Sequence, residues 1–123
     1  LYNNLGEMAG RQGHYTLAEN YLKESLVIHR DLGDMPGIAL CLANLAQVAL
    51  RQKNTEKFVW LYGAIERLRV SIGANMQDDE KEGFEQNVTA ARRQLGLARF
   101  EQLWGTGQSL SLEQVIAQAL EGV

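Results

Sequence analysis

The stretch "YNNLGEMAGRQGHYTLAENYL", Tyr2 to Leu22, decides how the chain is read. Its composition is that of a helix, yet Gly6, Gly10 and Gly13 fall within eight residues of one another. A glycine inside a helix costs about 1 kcal/mol against alanine, so the three need a structural reason. Gly13-His14 supplies one: it reads as a turn between a first helix ending near Arg11 and a second running from about Tyr15 to Leu32.

The same punctuation continues outward from this pair. The second helix has an apolar stripe of Ala18, Leu22, Ser25, Leu26 and His29 at spacings of three and four. Gly33 is placed to end it in a left-handed conformation, and Asp34 to cap the next helix with Pro36 in its first turn. That third helix, to about Gln52, is apolar on most sides through Ile38, Leu42, Leu45, Val48 and Ala49, which predicts a central position. Lys53-Asn54 is a turn. A fourth helix with Phe58, Leu61, Tyr62, Ile65, Leu68 and Ile72 follows, stopped by Gly73.

Asp78, Asp79 and Glu80 suit the positive end of a fifth helix, which buries Phe84, Val88, Ala91 and Leu95. A short sixth helix holds Leu97, Phe100, Leu103 and Trp104. Gly105-Thr106-Gly107 is expected to break it, and Ser111 with Gln114 forms a capping box for a last helix. About seven helices result, in an all-α chain.

Composition limits what such a chain does. Of 123 residues, 46% are hydrophobic and 22% charged, enough apolar material for a core. The formal net charge of −3, without a basic block, disfavours direct contact with nucleic-acid phosphates. Cys41 is the single cysteine, so neither an intrachain disulfide nor a cysteine zinc site can form, and a reducing cytoplasm is the expected setting. No apolar run approaches the ~20 residues of a membrane span. A chain that opens on Leu1 and goes straight into a helical pattern is expected to be a piece of a longer protein.

The helix pairs recur. Asn4-Leu5-Gly6 and Asn44-Leu45-Ala46 are alike and forty residues apart. Tyr2, Leu5-Gly6, Gly13, Tyr15, Ala18 and Leu22 resemble the pattern of a tetratricopeptide repeat. The resemblance implies that Gly6 and Ala18 let two antiparallel helices approach closely. The second pair departs from the pattern, with Phe58 where the first has Ala18 and Thr55 where it has Tyr15. Its period exceeds the usual ~34 residues, and six extra residues add roughly 9 Å of helix.

The lengthened junction "HRDLGDMPGIAL" resembles the repeats of large bacterial signal-transduction ATPases and LuxR-type transcriptional regulators. So does the tail: Gly63-Ala64, Ile72-Gly73-Ala74, Asp78 to Glu80, Arg92-Arg93, Leu95-Gly96, Phe100, Trp104-Gly105 and Ser109 to Leu112.

That resemblance implies a right-handed α-solenoid of stacked antiparallel helix pairs. Residues 1–33 form a first repeat, 34–73 a second, and 74–123 closing helices, in one domain. It implies a non-catalytic interaction or sensor module, the C-terminal end of a cytoplasmic regulator's sensor arm, binding a protein or peptide, another segment of its own longer chain, or a second copy. The family's groove face falls on Asn3, Glu7 and Arg11, then Ala43, Gln47 and Arg51, with Asn4 and Asn44 at its edge. Two alternatives stay open. One is a stand-alone adaptor. The other is a small-molecule sensor whose pocket is lined by Trp60, Tyr62, Phe84 and Trp104.

Catalytic, cofactor and metal sites are not expected. His14 and His29 are too far apart for a helical metal pair. Gly105-Thr106-Gly107 has no following lysine to make a phosphate loop. Asp78 to Glu80 lack the spaced ligands of a calcium loop. Cys41 has no neighbouring histidine and reads as a buried thiol; Arg92, Arg93 and Arg99 read as a solvated face.

Overall fold

Left-handed residues and short polar caps set the lengths of the helices. The computed structural model describes residues 13–73 and 78–121, the second stretch with side chains from Gly83 onward. The expected first helix, with Gly6 and Gly10, lies outside the described residues. Gly13, at φ +82°, makes the turn before α1 (Tyr15–Leu32). Gly33, at φ +68°, ends α1, and the Asp34 N–H returns to the His29 carbonyl at 2.9 Å. Asp34 Oδ1 then accepts from the Gly37 N–H at 3.1 Å to start α2 (Met35–Arg51), with Pro36 in its first turn.

Lys53 turns the chain at φ 65° without a glycine. Asn54 caps α3 (Thr55–Ile72) by accepting from the Lys57 N–H, and Gly73 closes it at φ +70°. Next come α4 (Asp78–Leu95), α5 (Leu97–Ser109) and α6 (Leu112–Glu121). The capping box is present: Ser111 N–H donates to Gln114 Oε1, and Gln114 N–H to Ser111 Oγ.

The described helices form an all-α array of antiparallel pairs. As its all-round apolar character predicts, α2 is central: Ile38, Leu42, Leu45, Val48 and Ala49 are all buried between α1 and α3. From α1 come Ala18, Leu22 and Leu26, and from α3 Phe58, Leu61 and Ile65. Phe58, equivalent to Ala18 by repeat offset, is fully buried and packs on Tyr62 at 4.9 Å between ring centroids.

Beyond α3 the arrangement departs from the expected one. Gly105-Thr106-Gly107 does not break a helix; α5 runs through it to Ser109. The reason is tertiary. A Cβ on Gly107 would fall on the Trp60 carbonyl oxygen, with the Ala64 nitrogen at 2.9 Å, and one on Gly63 would meet the Trp104 carbonyl. Glycine on each helix lets the two backbones touch.

α5 runs beside α3 in the same direction. Arg99 meets Glu56 at their starts, and Arg67 reaches the Gln108 and Leu110 carbonyls at their ends. α4 lies alongside, joined by the Thr55 hydroxyl donating to Gln94 Oε1 at 3.0 Å and by Tyr62 against Phe84. α6 folds back to touch both α3 and α1, through buried Val115, Ile116 and Ala119.

Candidate protein-binding face

Most of α2's circumference is buried, which leaves one strip for contact with anything else. Leu40, Asn44, Gln47 and Arg51 follow one another at spacings of four, three and four, and so share a face. Leu40 is 53% exposed and Arg51 exposed, whereas Asn44 and Gln47 are half-buried and Ala43 is buried. Arg51 stands about 10 Å along the axis from Asn44 at 1.5 Å per residue. The structure thus brings Asn44, Gln47 and Arg51 onto one surface. Asn3, Asn4, Glu7 and Arg11 lie outside the described residues.

Local packing fixes this strip. Gln47 Nε2 donates to the Tyr62 hydroxyl at 3.4 Å, tying the α2 face to α3. Tyr62 in turn packs on Phe84 with centroids 4.9 Å apart, so α2, α3 and α4 are linked through one amide and two rings. Arg51, in the last turn of α2, sits where a cation complements the helix dipole. A guanidinium is able to pair bidentately with a carboxylate, and Gln and Asn amides to bond peptide backbone. Leu40 adds an exposed apolar side chain that the sequence reading missed. In a helix apolar all round, only the four-residue step to Asn44 signalled that Leu40 faces outward.

The other candidate side chains are engaged locally. Cys41 is fully buried, and its thiol donates to Ser25 Oγ at 3.2 Å. Burial pushes the Cys41 thiol above its ordinary range, outweighing the stabilising bond from Ser25. His29 Nδ1 lies 2.9 Å from Asp34 Oδ2, so this histidine braces the α1–α2 junction. His14, exposed, precedes α1 without a side-chain capping bond.

Arg99 grips Glu56 with two bonds, Nε to Oε2 at 3.2 Å and Nη2 to Oε1 at 2.9 Å. These bonds hold the Glu56 carboxyl below the usual glutamate range and raise the arginine correspondingly. Arg92 lies over the Phe100 ring, 4.8 Å from its centroid. Lys57 is buried at the start of α3, which pushes its ammonium below the usual lysine range; Glu19 partly offsets this.

Three aromatic residues of the small-molecule alternative, Tyr62, Phe84 and Trp104, form a packing cluster with Phe100. Phe84 sits between Tyr62 and Trp104, at 4.9 and 6.3 Å, and Trp104 stacks on Phe100 at 5.7 Å. Offset and tilted rings at these distances pack favourably against one another. Among the described residues, no group of three or more His, Cys, Asp or Glu could hold a metal ion. No described helix is long and apolar enough to cross a membrane.

Residues 1–57 match the tetratricopeptide-repeat family. Comparison with curated proteins and with solved structures finds no match. The chain therefore carries a tetratricopeptide-repeat region, which takes in α1, α2 and the first turn of α3. Regions of this kind are generally protein- and peptide-binding and typically non-catalytic.

Proposed function

We propose that the chain is a non-catalytic interaction module. It presents the strip Leu40, Asn44, Gln47 and Arg51 to an extended peptide, or to another segment of a longer chain of its own. The resemblance to the repeat pattern assigns Asn3, Asn4, Glu7 and Arg11 to the same groove. The observation that carries this reading is the match of residues 1–57 to the tetratricopeptide repeat, together with an α2 strip whose ends, Leu40 and Arg51, are exposed. The Arg51 guanidinium selects a carboxylate on the partner, and Leu40 an apolar side chain beside it. A groove of two repeats is short, so binding by this chain alone is weak.

In this proposal residues 1–33 and 34–73 are the two repeats, and 74–123 close the array. The wider setting is the C-terminal end of the sensor arm of a cytoplasmic bacterial regulator of the LuxR type. It is supported by the tail sequence from Gly63 to Leu112. A partner binding one conformation of such an arm biases an on/off equilibrium by its differential affinity. Arg51→Glu in the intact protein tests the assignment. Arg51 is exposed but complements the α2 dipole, so the charge reversal should cost the fold about 0.5–1 kcal/mol. The proposal expects the partner-dependent output to fall at least tenfold; an unchanged output from the folded variant refutes it.

A further inference from the structure

A cleft of about 290 Å³ opens between α2, α3 and α6, away from the strip on α2. Leu42, Leu68 and Val115 form its buried floor, and the half-buried Leu112 and the more exposed Met35 stand at its edges. Besides Ala64 and Leu110, two polar side chains line it: Arg67 and Ser71, one turn apart on α3 and both exposed. Among the described residues, no carboxylate lines the cleft. Its volume is at the small end of the ~300–1,000 Å³ of ligand pockets, and its mostly apolar lining with a few polar groups is their usual character.

Arg67 gives this cleft a chemical preference. Its Nη1 donates to the Gln108 carbonyl at 2.6 Å and to the Leu110 carbonyl at 3.0 Å. Both bonds lie at the end of α5, where the carbonyls lack helical partners, so they fix the guanidinium in place. Nε and Nη2 have no partner among the described residues. That free edge is the one Arg99 uses to grip the Glu56 carboxylate in this same chain, at 3.2 and 2.9 Å. A planar fork held by two backbone carbonyls beside an apolar floor matches a carboxylate bearing an apolar tail.

We propose that the cleft between α2, α3 and α6 binds a small aliphatic carboxylate. The carboxylate sits on the Nε–Nη2 edge of Arg67, assisted by the Ser71 hydroxyl, and the tail lies over Leu42, Leu68 and Val115. Because the cleft is walled by α6 as well as by the repeat, an occupant joins the closing helix to the repeat pair and favours their docked arrangement. This site does not depend on the peptide-binding reading of the α2 strip.

The test is an amide- and methyl-resolved NMR titration of the full 123-residue chain with octanoate. Octan-1-ol supplies the tail without the charge, acetate the charge without the tail, and a short peptide ending in leucine a different class of carboxylate. Expected are saturable shifts at Leu68, Ser71 and Leu112, half-complete at or below about 1 mM octanoate. The alcohol should bind at least fivefold more weakly and acetate should not saturate. Arg67→Gln removes the fork, but it also removes the tie between α3 and α5.

Met35→Glu, at an exposed edge position, therefore carries the decision. A like charge there should weaken octanoate about tenfold. Leu97→Glu, the same change at the far end of α5, should not. Absence of saturation with octanoate overturns the proposal. So does equal binding of alcohol and acid, indifference to Met35→Glu, or tight binding of the peptide where octanoate fails.

Discussion

Replacing Gly107 by alanine adds one methyl group at the point where α3 and α5 touch. By intrinsic propensity the change favours the helix by about 1 kcal/mol. The added carbon, however, would lie on the Trp60 carbonyl oxygen, with the Trp60 carbonyl carbon and the Ala64 nitrogen both at 2.9 Å. These are backbone atoms of a neighbouring helix and cannot rotate aside as a side chain can, so the two helices must separate. Overpacking costs about 1–3 kcal/mol, and backbone neighbours place this site toward the upper figure. The net is a loss of roughly 1–2 kcal/mol, or about 4–8 °C in melting temperature for a chain of this size.

Gly105 is the internal comparison. It lies on the same helix, two residues earlier, is exposed, and has open space where a Cβ would stand. Gly105→Ala should raise stability by about 0.5–1 kcal/mol. Urea titrations followed by circular dichroism measure both variants against wild type. Opposite signs two residues apart support the close crossing. A Gly107→Ala variant as stable as wild type, or more so, refutes it.

Further outcomes follow from the caps, the core and the ion pairs. Asp34→Ala removes the cap of α2 and the contact with His29, and should cost about 1–2 kcal/mol in urea unfolding. Cys41 is fully buried with its thiol pushed above its ordinary range, so a thiol reagent should label the native chain very slowly and the urea-unfolded chain at the rate of a free cysteine. Glu56 is held below the usual glutamate range by Arg99, so its stabilising share is present above that range and lost as pH falls through it. In acid titrations wild type should therefore lose stability more steeply than Glu56→Gln, and added salt should shrink the difference.

What the sequence made legible was mostly local. Gly33, Asp34, Asn54, Gly73 and the Ser111–Gln114 box act within a few residues of chain, so their spacing alone located the ends of α1, α2 and α3 and the start of α6. The central place of α2 followed from its lack of a polar side. Gly105-Thr106-Gly107 misled because a glycine that stops a helix and one that admits a neighbouring backbone look alike in sequence; only the approach of Trp60 distinguishes them.

Arg67 was silent for the same reason. Its partners, the Gln108 and Leu110 carbonyls, are more than forty residues further along the chain. The aromatic residues carried a true signal of proximity but not of function. Phe84 and Trp104 do meet Tyr62's neighbourhood, as a packed cluster. On the α2 face, the resemblance to the repeat family pointed to Ala43, Asn44, Gln47 and Arg51, of which Ala43 is buried, while Leu40 was hidden among core leucines.

The central claim is that the α2 strip contacts a protein segment. Site-specific photocrosslinking in the intact protein, inside its native cells, tests it most directly. A photoreactive residue is placed at Arg51 or Leu40 on the strip, and at Thr89 on the outer side of α4 as comparison. The account predicts a discrete adduct from positions 51 and 40, mapped by mass spectrometry to one protein segment, and none from position 89. Adducts of equal yield at all three positions, or none from the strip, would contradict it.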